Sequence, residues 1–337
     1  MYLDFFFIEY RDPIFGLIVL FSVLLLIAVL SYFWGVFSLK DQKNSIDKFV
    51  SKFQSQSQLD PKYQNMLLNL DIDSNSLGVL AGIFARSGDF NKAISIYLIA
   101  LKKAAKKGEK EFIFLNLGKA YLKAGFIERS TEVFLESIKL STKNIDALSH
   151  LGLGFEKLRM YQKSLEVLDA LNEQGVEVSR QIAYTKALQI KNSNMEFSQK
   201  IAKFNKLADE FNLINRMILE TYIANNKDIN EIKLKPNLDS CIDILYLNDG
   251  ILEGDEYKEL YSAKGQNNAP ISDFNLNLLK IAKANNLNAT LSFSYICNEC
   301  KSSYPLFFYR CNHCARLGSC AIIPNVIKES DENSIAF

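Results

Sequence analysis

Two cysteine pairs near the C-terminus constrain the fold of this chain more than any other feature. Cys297 and Cys300 form one Cys-x-x-Cys pair, and ten residues later Cys311 and Cys314 form a second. A two-residue spacer lets a tight turn aim both thiolates at one point, and ten residues suffice for a short hairpin between the pairs. The spacing therefore predicts a tetrahedral site in which four sulfur atoms hold one metal ion.

Four protein ligands close the coordination sphere, so we expect a structural or redox-active ion rather than a hydrolytic one. Zinc is expected ahead of iron. Two disulfides are the alternative interpretation, but they require an oxidising compartment. The orientation predicted below places this end of the chain in the cytoplasm, which favours the metal.

Residues beside the pairs bear on the details of this site. Gly usually follows the second cysteine of such a pair, because the backbone turns left-handed there, but this chain has Lys301 and Ala315. Cys320 lies six residues past Cys314 and could replace one ligand. Cys241 stands in an apolar run and is predicted to be buried in the core, whereas His313 is predicted to face solvent.

A long apolar segment occupies the N-terminal region. Residues 14–39 contain no charged side chain, which exceeds the roughly 20 residues that a helix needs to cross about 30 Å of hydrocarbon. Tyr32, Phe33 and Trp34 would lie near one interface as an aromatic belt. We predict an uncleaved transmembrane anchor, because three acidic residues against one arginine precede it and no Ala-x-Ala site follows, unlike in a cleaved signal peptide.

Basic residues follow the predicted span. They are Lys40, Lys43, Lys48 and Lys52, against the single arginine Arg11 before it. Because lysine and arginine favour the cytoplasmic side of a membrane, we predict a single-pass protein with the bulk of the chain in the cytoplasm. Thiols stay reduced there and are available to a metal.

The middle of the chain repeats itself. Matching turn sequences contain Gly88, Gly125 and Arg159, which follow one another at intervals of 37 and 34 residues. A period of this length predicts tetratricopeptide repeats, each of which is a pair of antiparallel helices. The usual closing Pro is missing from all three repeats.

Small and large residues alternate as close helix packing demands. The small positions are Ala81, Gly118 and Gly152 on the first helices, and Ala93, Ser130 and Ser164 on the second helices. The large positions are Phe84, Tyr121 and Phe155, and Tyr97, Phe134 and Leu168. A third set is Ala100, Ser137 and Leu171, in which Leu171 breaks the small-residue rule. A generic helical bundle would lack the small positions, so three repeats are predicted.

Outside the three repeats the pattern weakens. Residues 41–58 carry Ile46, Phe49, Val50 and Phe53 at helical spacing and predict a juxtamembrane helix. Further helices are predicted at 182–187, 201–211, 213–224 and 274–284. Residues 225–270 show no clear period and are assigned to degenerate repeats.

A group of lysines recurs about every four residues. Its members are Lys102, Lys103, Lys106, Lys107 and Lys110. This spacing predicts a basic stripe on one helical face, which is ordinarily a solvated surface. The alternative is contact with anionic lipid headgroups, which attract each surface lysine with up to about 1 kcal/mol.

Composition excludes several classes of function. The net charge of +1 argues against a general nucleic-acid binder, and with two histidines and no phosphate-binding loop or nucleophile elbow, an enzyme is not expected. The segment at 302–309 is uncharged and apolar, which suits packing on protein better than a nucleic-acid-binding ribbon.

These features together resemble the lipopolysaccharide assembly protein B (LapB) family of Gram-negative bacteria. The resemblance is carried by FARSGDFNKAI at 84–94, LGKAYLKAG at 117–125 and the cysteine pairs with FYRC at 308–311. It implies a rubredoxin-like module with Cys297, Cys300, Cys311 and Cys314 as metal ligands. It also implies a non-enzymatic inner-membrane adaptor that helps a membrane-bound ATP-dependent protease to degrade the deacetylase committing precursors to lipid A.

The resulting fold class is all-α: a transmembrane helix, a tetratricopeptide-repeat solenoid and a small C-terminal four-Cys β module. The predicted parts are 1–40 anchor, 41–72 juxtamembrane helix and linker, 73–175 three repeats, 176–290 degenerate repeats, 291–324 metal module and 325–337 tail. The expected partners are the protease, lipopolysaccharide-synthesis proteins and membrane lipid, with no nucleic acid, and homo-oligomerisation stays open. The alternative functions are a rubredoxin-like iron redox protein and a generic membrane-anchored scaffold.

Overall fold

The computed structural model describes residues 19–32, 47–51 and 60–329. The chain divides into two compact units, Met1–Ala147 and Leu148–Phe337. The fold is mostly helical and tetratricopeptide-repeat-like, with a small three-stranded sheet near the C-terminus.

The helices of the first unit follow one another along the chain. They are α1 (residues 19–32), α2 (Pro61–Asn69), α3 (Ser74–Arg86), α4 (Phe90–Lys103), α5 (Lys107–Lys123), α6 (Ile127–Leu140) and the start of α7 (Ile145–Lys157). Residues 47–51 are also helical.

The second unit contains the rest of α7, seven further helices and the sheet. The helices are α8 (Tyr161–Glu173), α9 (Ser179–Lys191), α10 (Phe197–Leu207), α11 (Ile214–Ala224), α12 (Ile242–Leu247), α13 (Lys258–Lys264) and α14 (Phe274–Ala284). The strands are β1 (Ala289–Cys297), β2 (Ser303–Tyr304) and β3 (Cys320–Lys328).

The three predicted repeat turns share one backbone geometry. A residue just past each turn donates its amide to a carbonyl five residues earlier: Asp89 to Phe84 at 3.0 Å, Phe126 to Tyr121 at 2.9 Å and Met160 to Phe155 at 2.9 Å. Each turn contains one left-handed residue, with φ of 86° at Gly88, 85° at Gly125 and 58° at Arg159. This is the Schellman arrangement that ends a helix, and it confirms the predicted turn positions.

The predicted small and large positions form the contacts between paired helices. All of them are buried except the partly exposed Phe84. At Gly118 the approach is closest, because a Cβ there would lie 2.5 Å from the Phe134 ring. In the third repeat Ser164 Oγ donates to Gly152 O at 3.0 Å. The small residues therefore allow a distance between helices that larger side chains would prevent.

The predicted juxtamembrane helix is described only at 47–51. Val50 is fully buried in the core of the first unit, and the Phe49 ring packs edge-on against Phe114 at 5.4 Å. The rest of that prediction, including Ile46 and Phe53, lies outside the described residues.

No helix within 19–32, 47–51 and 60–329 is long and apolar enough to cross a membrane. The predicted span at 14–39 extends beyond α1 on both sides, and its residues 14–18 and 33–39 lie outside the described part of the chain. The same holds for Lys40, Lys43 and Lys52, on which the predicted orientation rests.

Residues 225–270 differ from a pair of full-length repeat helices. They contain two short helices, α12 and α13, and single 3-10 turns at Ile229–Glu231, Leu238–Ser240 and Asp255–Tyr257. Buried aromatic rings hold this region together: Tyr257 Oη donates to Pro236 O at 2.5 Å, and Tyr261 Oη accepts from the Leu252 amide at 2.6 Å. Elements this short show no helical period, so the sequence predicts no regular helices there.

The sheet has the strand order β2-β1-β3, and both pairings are antiparallel. Cys297 lies opposite Cys320, and Tyr295 lies opposite Tyr304. Residues of the sheet and of α9, α11, α12, α13 and α14 belong to one hydrophobic core. The strands therefore position the cysteine pairs on a helical base.

Candidate metal centre

The four predicted ligands converge in the structure. The sulfur atoms of Cys297, Cys300, Cys311 and Cys314 all lie within 4.8 Å of one another. The distance from Cys297 Sγ to Cys314 Sγ is 3.7 Å, and that from Cys300 Sγ to Cys311 Sγ is 3.6 Å. Zinc–sulfur bonds of about 2.3 Å in a regular tetrahedron place sulfur atoms about 3.8 Å apart. The residues therefore fit one tetrahedral metal ion.

The two cysteine turns have the same backbone pattern. The amides of Lys301 and Ala315 donate to the carbonyls of Cys297 and Cys311, both at 2.9 Å. The amides of these two cysteines donate in turn to Ser302 O and Arg316 O, again at 2.9 Å. Lys301 and Ala315 have φ of 59° and 58°, so both adopt the left-handed conformation expected there despite lacking glycine.

Hydrogen bonds and the sulfur atoms themselves set the protonation of the thiols. Burial raises the pKa of Cys297, but hydrogen bonds from the Cys300 amide and the Ser319 hydroxyl outweigh burial and lower that pKa to about 6. Contact with Ser302 lowers the pKa of Cys300. Desolvation and the neighbouring sulfur atoms raise the pKa of Cys314 to about 12, although this residue as a whole is exposed. Four thiolates this close need a cation to remain ionised together, so the donor set favours a bound metal.

Three other predicted residues lie outside the four-sulfur group. Cys320 begins β3, is partly buried and does not belong to the group of sulfur atoms. Cys241 is fully buried in the core, where burial raises its pKa to about 12. His313 is exposed, as predicted. A bound ion at the four sulfurs would tie the two turns together and leave no protein ligand position open.

The hairpin between the cysteine pairs is anchored to α7 by Arg310. Its guanidinium donates to both carboxylate oxygens of Glu156, at 2.8 and 2.7 Å, and to Ala315 O at 3.0 Å. The side chains of Arg310 and Glu156 are only 15% and 9% exposed. This bidentate, nearly buried ion pair joins the second cysteine turn to the repeat helix α7.

The preceding tyrosine connects the hairpin to α9 and α11. Tyr309 Oη donates to Glu220 Oε1 at 2.8 Å, and its ring lies 5.9 Å from the Tyr184 ring. Burial, followed by the charge of Glu220, raises the pKa of Tyr309 well above its ordinary value. Tyr309 therefore remains a neutral donor that holds the hairpin against the helices.

A buried charge network lies beneath the same hairpin. Arg216 donates to Asp243 at 2.7 and 2.9 Å, and Tyr295 Oη donates to the same carboxylate at 3.0 Å. The Arg216 guanidinium also lies 3.5 Å from the centroid of the Phe307 ring. The network joins α11, α12, β1 and the hairpin into one rigid base for the metal site.

The partners of these contacts carry no local signal in the sequence. Glu156, Glu220 and Arg216 are charged residues within helical patterns, Asp243 lies in 225–270 where no period is evident, and 154 residues separate Arg310 from Glu156. The only signal was the apolar character of 302–309, which correctly predicted packing on protein.

The five lysines do not lie on one helix. Lys102 and Lys103 end α4, whereas Lys107 and Lys110 belong to α5, with Lys106 at its N-cap. The predicted single helical face is therefore wrong, because the chain turns at Ala104. Contact with an anionic surface stays a prediction.

Comparison with solved structures finds helical proteins of low similarity. MamA 41-end from Desulfovibrio magneticus RS-1 matches over 45% of this chain and 85% of its own length, with 15% identity and a TM-score of 0.36. YrrB, a TPR protein with an unusual peptide-binding site, matches over 51% of this chain and 86% of its own, with 18% identity and a TM-score of 0.36. No protein-family model and no curated protein matches the chain.

Proposed function

We propose that this protein is a non-enzymatic adaptor whose helical repeats bind other proteins and whose four-Cys module holds a structural metal, zinc ahead of iron. The observation that carries the proposal is the nearly buried Arg310–Glu156 ion pair, which joins the metal module to a repeat helix. A separate electron-transfer module would not require such a connection. A cap that stabilises a binding scaffold does require it, because metal binding can then support helix packing.

We further propose that the adaptor is anchored in the bacterial inner membrane by residues 14–39, with the bulk of the chain in the cytoplasm. The absence of charge from that segment and the lysines that follow it support this location. Confinement to the membrane plane raises the effective concentration of membrane partners. A reporter that is active only in the periplasm, fused after Phe337, should therefore stay inactive.

The cellular role that we propose is control of lipopolysaccharide synthesis, through proteolysis of the deacetylase that commits precursors to lipid A. The order of parts along the sequence and the motifs at 84–94, 117–125 and 308–311 support this role. The partners would be a membrane-bound ATP-dependent protease and the deacetylase.

The test is the half-life of the deacetylase in cells depleted of this chain and complemented with variants. Wild-type chain should restore rapid turnover, whereas variants lacking residues 14–39 or carrying Cys297→Ser with Cys300→Ser should not. Cys320→Ser is the matched thiol control and should restore turnover. If the half-life and the lipopolysaccharide level are unchanged by depletion, the role in lipopolysaccharide control is wrong. Capture of other membrane proteins by the repeats would then leave only the generic scaffold.

A further inference from the structure

A shallow valley on α3 lies apart from the metal centre. Gly78 and Gly82 are four residues apart and so lie on the same face of this helix. The Phe112 ring covers Gly78, where a Cβ would lie 3.1 Å from the ring, whereas Gly82 remains partly exposed. The valley is therefore closed at Gly78 and open at Gly82.

Two hydrogen-bond donors meet at the open end. A Cβ on residue 82 would lie 3.4 Å from Tyr97 Oη and 3.7 Å from Arg86 Nη1. Tyr97 reaches this point from α4, so the two donors come from both helices of the first repeat. Their position is set by helix packing rather than by a loop.

The Tyr97 hydroxyl has no protein partner at this point. The residue is 3% exposed, yet no hydrogen bond joins its hydroxyl to any residue between 60 and 329 or in the shorter described segments. The hydroxyl oxygen is not among the fully buried unpaired atoms of the described residues, so it is accessible beside the partly exposed Gly82 and can donate to a group from outside. Arg86 is exposed and has no ion pair with any described residue.

We propose that Arg86 and Tyr97 bind a carboxylate of a partner peptide in the valley at Gly82. This proposal rests on the scaffold function proposed above and names the chemistry of its partner. One guanidinium balances the single charge of a carboxylate and can donate two parallel hydrogen bonds to it. The phenol adds a further hydrogen bond. A phosphate would bring nearly two negative charges to one cation.

The surroundings of the valley define the residues beside that carboxylate. Val79 and Ile83 are 56% and 51% exposed and adjoin Gly78 and Gly82 along α3. Exposed apolar side chains beside a charged group suit a peptide in which an acidic residue is next to an aliphatic one. A free C-terminus after an aliphatic residue offers the same chemistry.

The variant Gly82→Ala should impair binding of the carboxylate without impairing folding. The added methyl group would fit at ordinary contact distances of 3.4 and 3.7 Å, and alanine favours a helix over glycine. The variant should therefore fold at least as well as wild type, while its methyl group occupies the place of the carboxylate. Gly108→Ala is the matched control, because a Cβ at this helical position would meet nothing within 4 Å.

The experiment measures retention of peptide pools on the immobilised full-length chain in detergent. The acidic pool contains acetylated, amidated octapeptides with one central Glu and random aliphatic neighbours, and the neutral pool has Gln in its place. A third pool has no Glu but a free C-terminus, and a fourth has phosphoserine in place of Glu. Unfolding curves of each variant are recorded in parallel.

We expect wild type and Gly108→Ala to retain the acidic pool about tenfold better than the neutral pool. Gly82→Ala, Tyr97→Phe and Arg86→Gln should each remove most of this preference without lowering stability. Stronger retention of the third pool than of the acidic pool would identify a C-terminus as the source of the carboxylate.

Several results would overturn the proposal. Equal retention of acidic and neutral pools by wild type would show that there is no carboxylate site. An undiminished preference in Gly82→Ala would show that the carboxylate does not bind at Gly82. Neither result would contradict the scaffold function. Preference for the phosphoserine pool would reassign the site to phosphate. Failure of every pool, together with failure to capture any membrane protein, would count against the scaffold function as well.

Discussion

Residues other than glycine adopt the left-handed backbone conformation in one repeat turn and in both cysteine turns. Arg159 has φ of 58° in the third repeat turn, where the first two repeats have Gly88 and Gly125. Lys301 and Ala315 adopt the same conformation in the two cysteine turns. A side chain disfavours this conformation by about 1–2 kcal/mol, so each position stores strain that the surrounding hydrogen bonds must offset.

Arg159→Gly should stabilise the protein. Relief of the left-handed strain exceeds the extra chain entropy that glycine loses on folding, so the free energy of unfolding should rise by about 0.5–1 kcal/mol. Urea unfolding followed by circular dichroism measures this change. The reciprocal variant Gly125→Ala should lose about 1 kcal/mol, and a lower stability of Arg159→Gly would show that the arginine side chain makes contacts that matter more than strain.

Prediction from sequence succeeded for residues with local signals. The four ligands were predicted because each pair lies within one turn, and the turn at Arg159 was predicted because the repeat period placed it there. Glu156 and Asp243 gave no such signal, since their partners Arg310 and Arg216 are 154 and 27 residues away. Ion pairs between distant segments depend on the finished fold.

At the scale of helices, corresponding glycines in two repeats have unequal surroundings. A Cβ at Gly118 would lie 2.5 Å from the Phe134 ring, whereas one at Gly152 would lie 3.5 Å from Val167. The repeat pattern predicted a small residue at both positions, but it did not reveal that only the first approach is tight.

Gly118→Ala should therefore destabilise the protein by about 2 kcal/mol or more, because the Phe134 ring must move or the helices must separate. Gly152→Ala is the matched control and should be neutral or gain up to about 1 kcal/mol from helix propensity. Thermal unfolding of both variants checks the contrast. Equal losses would mean that both helix pairs pack with the same tolerance.

The attachment of the metal hairpin to α7 provides a second test at this scale. Glu156→Gln should lower the free energy of unfolding by about 3 kcal/mol, because it leaves the charge of Arg310 nearly buried without a counter-ion. Lys139→Gln breaks the exposed Lys139–Glu136 pair and should change stability by less than about 0.5 kcal/mol. Chemical unfolding measures both. Similar effects would show that solvent reaches the Arg310–Glu156 pair.

At the scale of the whole molecule, repeat period and cysteine spacing predicted the order of helical hairpins and metal module. They did not predict the short helices of 225–270, or that β1 and β3 extend beyond residues 291 and 324. Nor did they predict the division into two units at Ala147, which falls inside α7. The division follows contacts in the folded chain, and the repeat pattern of the sequence continues across it.

The two units have separate hydrophobic cores, and this separation determines what metal removal should do. Cys297 and Cys311 belong to the core that contains α9, α11 and α14, whereas the core around Leu77, Tyr97 and Phe114 contains no metal ligand. Structural zinc contributes roughly 10–16 kcal/mol to the folding of small metal-dependent peptides. Loss of the ion should therefore destabilise the second unit and leave the first unit folded.

Hydrogen exchange of the full chain, before and after chelation, tests this prediction. We expect about one ion per chain, and removal should abolish amide protection in 179–328 while protection in 74–140 persists. Cys297→Ser with Cys300→Ser should reproduce the effect of chelation, and Cys320→Ser should bind the ion normally because its sulfur lies outside the four-sulfur group. Loss of protection in both units at once would mean that they fold as one cooperative body, and retained protection in 179–328 would mean that the metal does not support the fold.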